Sequence, residues 1–169
     1  MDIFDMQIDI LLEDKRWNEI TFFEISEAAV TATCAHQGLM AAQVEVSLLA
    51  CDDAKIAELN RDFRSKPQPT NVLSWPAQEL GAALEGAAPH APEAGPDETI
   101  ALGDIAISFD TCAREAALQN KSLKAHTTHL LVHGTLHLLG YDHIHEADAT
   151  LMERIEAEIL GNLGFDDPY

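Results

Sequence analysis

The stretch His133-Gly134-Thr135-Leu136-His137-Leu138-Leu139-Gly140-Tyr141-Asp142-His143 governs the reading of this chain. Two histidines four residues apart stand on one face of a helix, one turn apart. Gly140 can end that helix with a positive φ at little cost. The chain can then fold back and bring His143 to the ion that His133 and His137 approach. Three neutral imidazoles fill three corners of a tetrahedron and leave the fourth to water, the pattern of a catalytic zinc rather than a closed structural one. Packing alone explains a single histidine on an apolar helix. A pair at helical spacing, a glycine stop and a third histidine together describe a ligand set.

The surrounding residues place this set on a buried helix. From 123 to 139 the pattern is helical and apolar on several sides, through Leu130, Leu131, Val132, Leu136, Leu138 and Leu139. A helix apolar nearly all round is a buried one. His126, His129, His133 and His137 fall within an arc of about 80° on it. Four imidazoles in one buried stripe need partners, and a metal with hydrogen bonds would satisfy them. His126 and His129 are expected to support or pack beside the ligands rather than join them.

The spacing H-x-x-x-H-x-x-G-x-x-H resembles that of metzincin metalloproteases. Those enzymes carry Glu directly after the first histidine as general base. Gly134 stands there in this chain and can neither take nor give a proton. The full string HGTLHLLGYDH is closely similar to the signature of the YbeY family, bacterial zinc-dependent endoribonucleases that act in rRNA maturation. Leu59-Asn60-x-x-Phe63-Arg64-x-Lys66, continuing through Pro69-Thr70-Asn71-Val72-Leu73-Ser74-Trp75-Pro76, is similar to the family's second signature. The family arginine matching Arg64 is taken to contact the phosphate region of the active site. Pro67 and Gln68 depart from the family's usual charged pair. Leu102-Gly103-Asp104-Ile105 matches a third, weaker motif, and the tail from Gly164 to Tyr169 also resembles the family.

The resemblance implies a zinc-dependent, single-strand-specific endoribonuclease acting in late rRNA processing, including 16S rRNA 3′ end maturation, and in ribosome quality control. It implies one Zn²⁺ per chain held by His133, His137 and His143, with Arg64 in the catalytic set. The substrate would be single-stranded RNA or an rRNA precursor, not DNA, and the ribosome or its proteins would be partners. With no carboxylate after His133, the proton acceptor stays open between water on the metal, Asp142 and a substrate 2′-OH. Two other classes fit the residues. One is a zinc hydrolase acting on peptides or another acyl substrate, favoured by the metzincin spacing and the acidic charge. The other is a ribosome-assembly factor whose metal is structural.

Charge bears directly on the RNA reading. Twenty-nine acids against ten lysines and arginines leave a net charge of −19, the opposite of a protein that grips RNA by a broad basic face. What is left is a small local patch and the help of a partner. Arg61, Arg64 and Lys66 form the densest positive cluster, and cations near a helix C-terminus are also favourable in their own right. No apolar run approaches the ~20 residues of a membrane-spanning helix. The start, Met-Asp-Ile-Phe-Asp, has no basic segment before an apolar one, so a cytoplasmic protein is expected. Cys34, Cys51 and Cys112 are odd in number and widely spaced, and read as buried free thiols.

At 169 residues the chain is expected to be one domain. Alternation and β-branching predict strands over 6–12, 44–51, 72–75 and 100–108, the last as an edge. Helices are predicted within 15–38 with a stop at Gly38, from Asp52 or Asp53 through Phe63, from an Asp110 cap through Leu118, over 123–139 and over 147–163. The segment 77–99, rich in Ala, Gly, Pro and Glu, is expected as an exposed loop with His90 solvated. Asp104 is either a surface acid or one that approaches the metal cleft. These elements predict an α+β fold, a small mixed four-stranded sheet covered by helices with the metal site on a buried helix.

Overall fold

The computed structural model describes residues 7–169. Residues 1–6, which include the start of the first expected strand and the stretch read for a secretory signal, lie outside it. The elements run β1 Gln7–Leu12, a 3-10 turn Lys15–Ile20, α1 Phe22–His36, β2 Val44–Cys51, α2 Asp53–Arg64, β3 Val72–Pro76, β4 Ile100–Ser108, α3 Phe109–Leu118, α4 Leu123–Leu138 and α5 Glu146–Asn162. The four strands form one mixed sheet in the order β1-β2-β4-β3. β1 and β2 are parallel, as are β2 and β4, and β3 runs antiparallel to β4. This is the expected α+β sheet with one correction. β4 lies between β2 and β3, not at an edge. Its near-continuous apolar run, Ile105 to Ile107, suits a strand flanked on both sides.

Strand alternation divides the side chains between two faces. Val46 and Leu48 of β2 join Ile105 and Ile107 of β4 in the main core, packed on Leu131 and Leu136 of α4 and Ala29 and Val30 of α1. The opposite face carries a smaller cluster of Cys51, Ile56, Leu73 and Ala106 under α2. α2 covers only part of that face. Beside it runs a groove of about 720 Å³ lined by Leu11, Leu49, Phe63 and Trp75, with Asp9 and Asp104 along it. The three cysteines are buried and unpaired.

Local chemistry fixes the helix ends. Asp52 caps α2, its side chain accepting from the Lys55 N–H at 2.9 Å. Asp53 instead joins Ser108, Thr111 and Arg114 across the sheet end. Asp110, expected from sequence to cap α3, does not. It lies inside the first turn, where its carboxylate accepts from the Asp53 N–H and pairs with Arg16. No helix among the described residues is long and apolar enough to cross a membrane.

The segment 77–99 contains no regular element, as expected, yet it is anchored. Leu80 is 6% exposed, Gln78 and Glu93 bond each other, and the Gly86 N–H donates to Asp148. Leu80 therefore acts as a plug against the turn at Gly140. His90 is exposed, as predicted.

Candidate metal centre

α4 supplies two histidines of the centre and the turn after it supplies the third. Ser122 opens the helix by accepting from the Ala125 N–H at 3.0 Å. At the other end Gly140 takes φ +99°, and the Tyr141 N–H reaches back to the Leu136 carbonyl at 3.1 Å, a closed glycine terminus. The reversal brings His143 over the face that carries His133 and His137. Ring centroids are 4.5 Å apart for His133 and His137, 5.3 Å for His133 and His143, and 5.0 Å for His137 and His143. One nitrogen from each lies within 4.8 Å of the others, and these three form the one group among the described residues spaced to hold a metal ion.

Hydrogen bonding sets which nitrogens face inward. His137 Nδ1 lies 2.9 Å from the Tyr141 carbonyl, which can only accept, so Nδ1 carries the proton. His133 Nδ1 is bonded in the same way to the Glu156 carboxylate. The two Nε2 atoms then present bare lone pairs to each other across 3.0 Å. Lone pairs at that distance repel, and a cation between them removes the conflict. Tetrahedral zinc with bonds of about 2.0–2.1 Å separates its nitrogens by about 3.3 Å. The donor set fits a divalent ion on this observation. Burial, then the neighbouring His133, push the His137 pKa down to about 4, leaving the neutral imidazole that a metal requires.

Glu156 of α5 was not anticipated from sequence. Its side chain is fully buried, and it accepts hydrogen bonds from His133, from His129 at 3.2 Å and from the Tyr169 hydroxyl. Burial alone would raise its pKa, but these bonds reverse the effect and hold it at about 2. The signal was present in the chain. Met152, Ile155, Ile159 and Leu160 form the apolar stripe of α5, and Glu156 stands inside that stripe, where a carboxylate is costly unless paired.

His126 and His129 fall outside the group of nitrogens spaced to hold a metal ion. His126 bonds Glu115 at 2.9 Å, and Glu115 also accepts from Asn71 at 3.0 Å. The Asp142 carboxylate accepts from the His143 N–H at 2.7 Å and shapes the turn. Asp104 faces the groove on the open side of the sheet, among Asp9, Ser47 and Trp75, and is not part of the metal cleft. Gly134 lies against the sheet. A β-carbon there would meet Ile105 Cδ1 and Ser74 Oγ at 3.2 Å each, so no longer side chain fits without displacing them.

Arg64 enters from the opposite wall. It is the last residue of α2, before Ser65 in the left-handed region at φ 56°. Asn60, nearly buried, donates to the Gln68 carbonyl at 2.9 Å and holds the following loop. Pro67 and Gln68, which depart from the family pattern, thus still make an ordered turn. Arg64 shares a cleft of about 660 Å³ with Ser74, Glu79, His137, Asp142 and His143, and is the only cation lining it among the described residues. Arg61 is paired with Asp62, whereas Arg64 forms no ion pair among the described residues. The cleft therefore combines an acceptor-rich metal cage with one free guanidinium, suited to a phosphodiester oxyanion.

The chain is similar to known proteins over nearly all of its length. The family model for the endoribonuclease YbeY matches residues 7–164. An endoribonuclease YbeY of Ruegeria sp. is 56% identical over 164 residues, covering 97% of this chain and 96% of that protein. One from Methylocella silvestris is 41% identical over 168 residues, covering 96% and 85%. A solution structure from Thermotoga maritima aligns with a TM-score of 0.55 at 21% identity, over 96% of this chain and 98% of that one, and so shares the fold.

Proposed function

The chain belongs to the endoribonuclease YbeY family, and on that premise we propose that it is a zinc-dependent endoribonuclease cutting single-stranded RNA. The observation that carries this reading is the convergence of three imidazoles beside one free guanidinium in an open cleft. Zn²⁺ held by His133, His137 and His143 would supply Lewis acidity, lowering the pKa of water from 15.7 toward about 7 and polarising a phosphoryl oxygen. Arg64 binds the phosphodiester and faces the negative charge that builds on phosphorus. Position 134 offers no base, so either an attacking water gives its proton to other water or to Asp142, or a substrate 2′-OH attacks and its proton passes through water to the departing O5′. In the last route the O2′–P bond forms as the P–O5′ bond breaks, giving a 2′,3′-cyclic phosphate and a 5′-hydroxyl.

The biological substrate we propose is an rRNA precursor, at the 16S 3′ end, with roles in late processing and quality control in the cytoplasm. A chain of net charge −19 needs help to approach RNA, and the open sheet face suggests how. Asp9 pairs in register with Ser47, and Ser47 with Asp104, while Leu11, Leu49 and Ala106 form the next row. This acidic and apolar surface is complementary to a basic ribosomal protein, which would deliver the RNA.

The test offers zinc-loaded protein a labelled single-stranded RNA and a generic peptide, with Arg64→Ala and His137→Ala purified identically. RNA cleavage that needs both residues supports the proposal. Peptide cleavage would favour an acyl hydrolase, and inertness toward both a structural metal. End-group analysis of the RNA products reads which nucleophile attacks.

A further inference from the structure

Glu156 is the only carboxylate in the core among the described residues. Packing does not require an acid there, because Met152, Ile155, Ile159 and Leu160 already supply the apolar contacts of α5. Its two oxygens are divided between two tasks. Oε1 takes the Nδ1–H of His133, while Oε2 takes His129 and the Tyr169 hydroxyl. Tyr169 is delivered by a folded tail. Gly164 turns the chain at φ +87°, the Phe165 N–H returns to the Leu160 carbonyl at 2.9 Å, and the Asp167 carboxylate accepts from the Tyr169 N–H at 2.9 Å. The tail thus places a hydroxyl on the far side of the acid from the metal cage.

We infer that Glu156, braced by Tyr169, is a positioning residue for the metal centre, fixing His133 in its Nδ1–H form and aiming Nε2 at the ion. This rests on the zinc reading above. A buried carboxylate behind an imidazole also raises the imidazole's basicity as a ligand, and loss of such a partner commonly weakens metal binding about 10–100-fold. Tyr169 acts one step further out, by holding the oxygen that His133 does not use.

The experiment measures Zn²⁺ affinity by competition with a chromophoric chelator, without RNA. Glu156→Gln keeps the shape and removes the charge, and is expected to weaken zinc binding about 10–100-fold. Tyr169→Phe should weaken it in the same direction by a smaller factor. Glu115→Gln, which disturbs the separate His126 pair, should leave it unchanged. To keep the test independent of how Glu156→Gln folds, the ring nitrogens of wild-type His133 are also read by ¹⁵N NMR, where a proton on Nδ1 is expected. Zinc affinity of Glu156→Gln within about twofold of wild type, or an unprotonated Nδ1, overturns the inference while leaving the zinc reading intact. A wild-type chain that takes up no zinc overturns that reading and this inference with it.

Discussion

A β-carbon on Gly140 would lie 2.8 Å from the carbonyl carbon of Leu80, and 2.9 Å from the β-carbons of Leu80 and Pro89. The loop between β3 and β4 therefore rests directly on the turn that swings His143 toward its partners. Glycine is required twice at this position, for its positive φ and for the close approach. Gly140→Ala is expected to destabilise the protein by about 2–4 kcal/mol, the combined cost of an unfavourable φ and of overpacking. Urea unfolding of the metal-free protein checks the figure. An unchanged midpoint would mean that the loop is not seated on this turn.

Arg64 is expected to act on substrate and not on the metal. Arg64→Ala should lower kcat/KM for RNA cleavage by about 10²–10³, the loss typical of one transition-state donor. Zinc affinity should stay within about twofold of wild type. Arg64→Lys should recover only part of the activity, because an ammonium lacks the planar fork that grips two phosphate oxygens. Parallel zinc titrations and cleavage kinetics separate the two effects.

Acid stability should depend on Asp53. Burial raises this carboxyl, but hydrogen bonds from Ser108, Thr111 and Arg114 outweigh it and lower the pKa below its usual 3.8. A carboxylate depressed in the folded state contributes stability that is present above its unfolded pKa and lost as pH falls through the folded value. Wild type should therefore lose stability below about pH 4. Asp53→Asn should cost about 1–3 kcal/mol at pH 7, and the two urea midpoints should converge as pH falls toward the folded pKa. Curves that stay parallel across this range would contradict the assignment.

The open sheet face is expected to matter for the partner and not for chemistry. The pair Asp9→Lys and Leu11→Ser changes two side chains that point away from the metal cleft, one of them a leucine 62% exposed. Binding to small ribosomal subunits, read by co-sedimentation, should fall at least about tenfold through lost charge complementarity. Cleavage of a short unstructured RNA should be unchanged. Equal co-sedimentation would remove this face from the account.

Much of this arrangement was legible in the chain because it is local. His133, His137, Gly140 and His143 lie within eleven residues, so helical geometry and one glycine turn are enough to bring three imidazoles together. The strands were likewise readable from alternation, although the central place of β4 was not, since strand order is decided by long-range pairing. Glu156 was missed for a related reason. It meets His133 only after α5 folds back on α4, and sequence alone shows just an acid inside an apolar stripe. The role of Asp110 was misjudged because its partners, Arg16 and the Asp53 N–H, lie far from it in sequence. Asp52 won the cap of α2, which released Asp53 and, through it, Asp110 for other partners. The seating of the 77–99 segment depends on Leu80, one apolar residue in a stretch whose composition otherwise reads as solvent-exposed.

The most direct test of the central claim is a crystal structure of the zinc-loaded protein with anomalous data at the zinc edge. One ion is expected, bonded to Nε2 of His133 and His137 and to a ring nitrogen of His143 at about 2.0–2.1 Å, with the fourth position not taken by the protein. An ion bound elsewhere, or a fourth protein ligand closing the site, would contradict it.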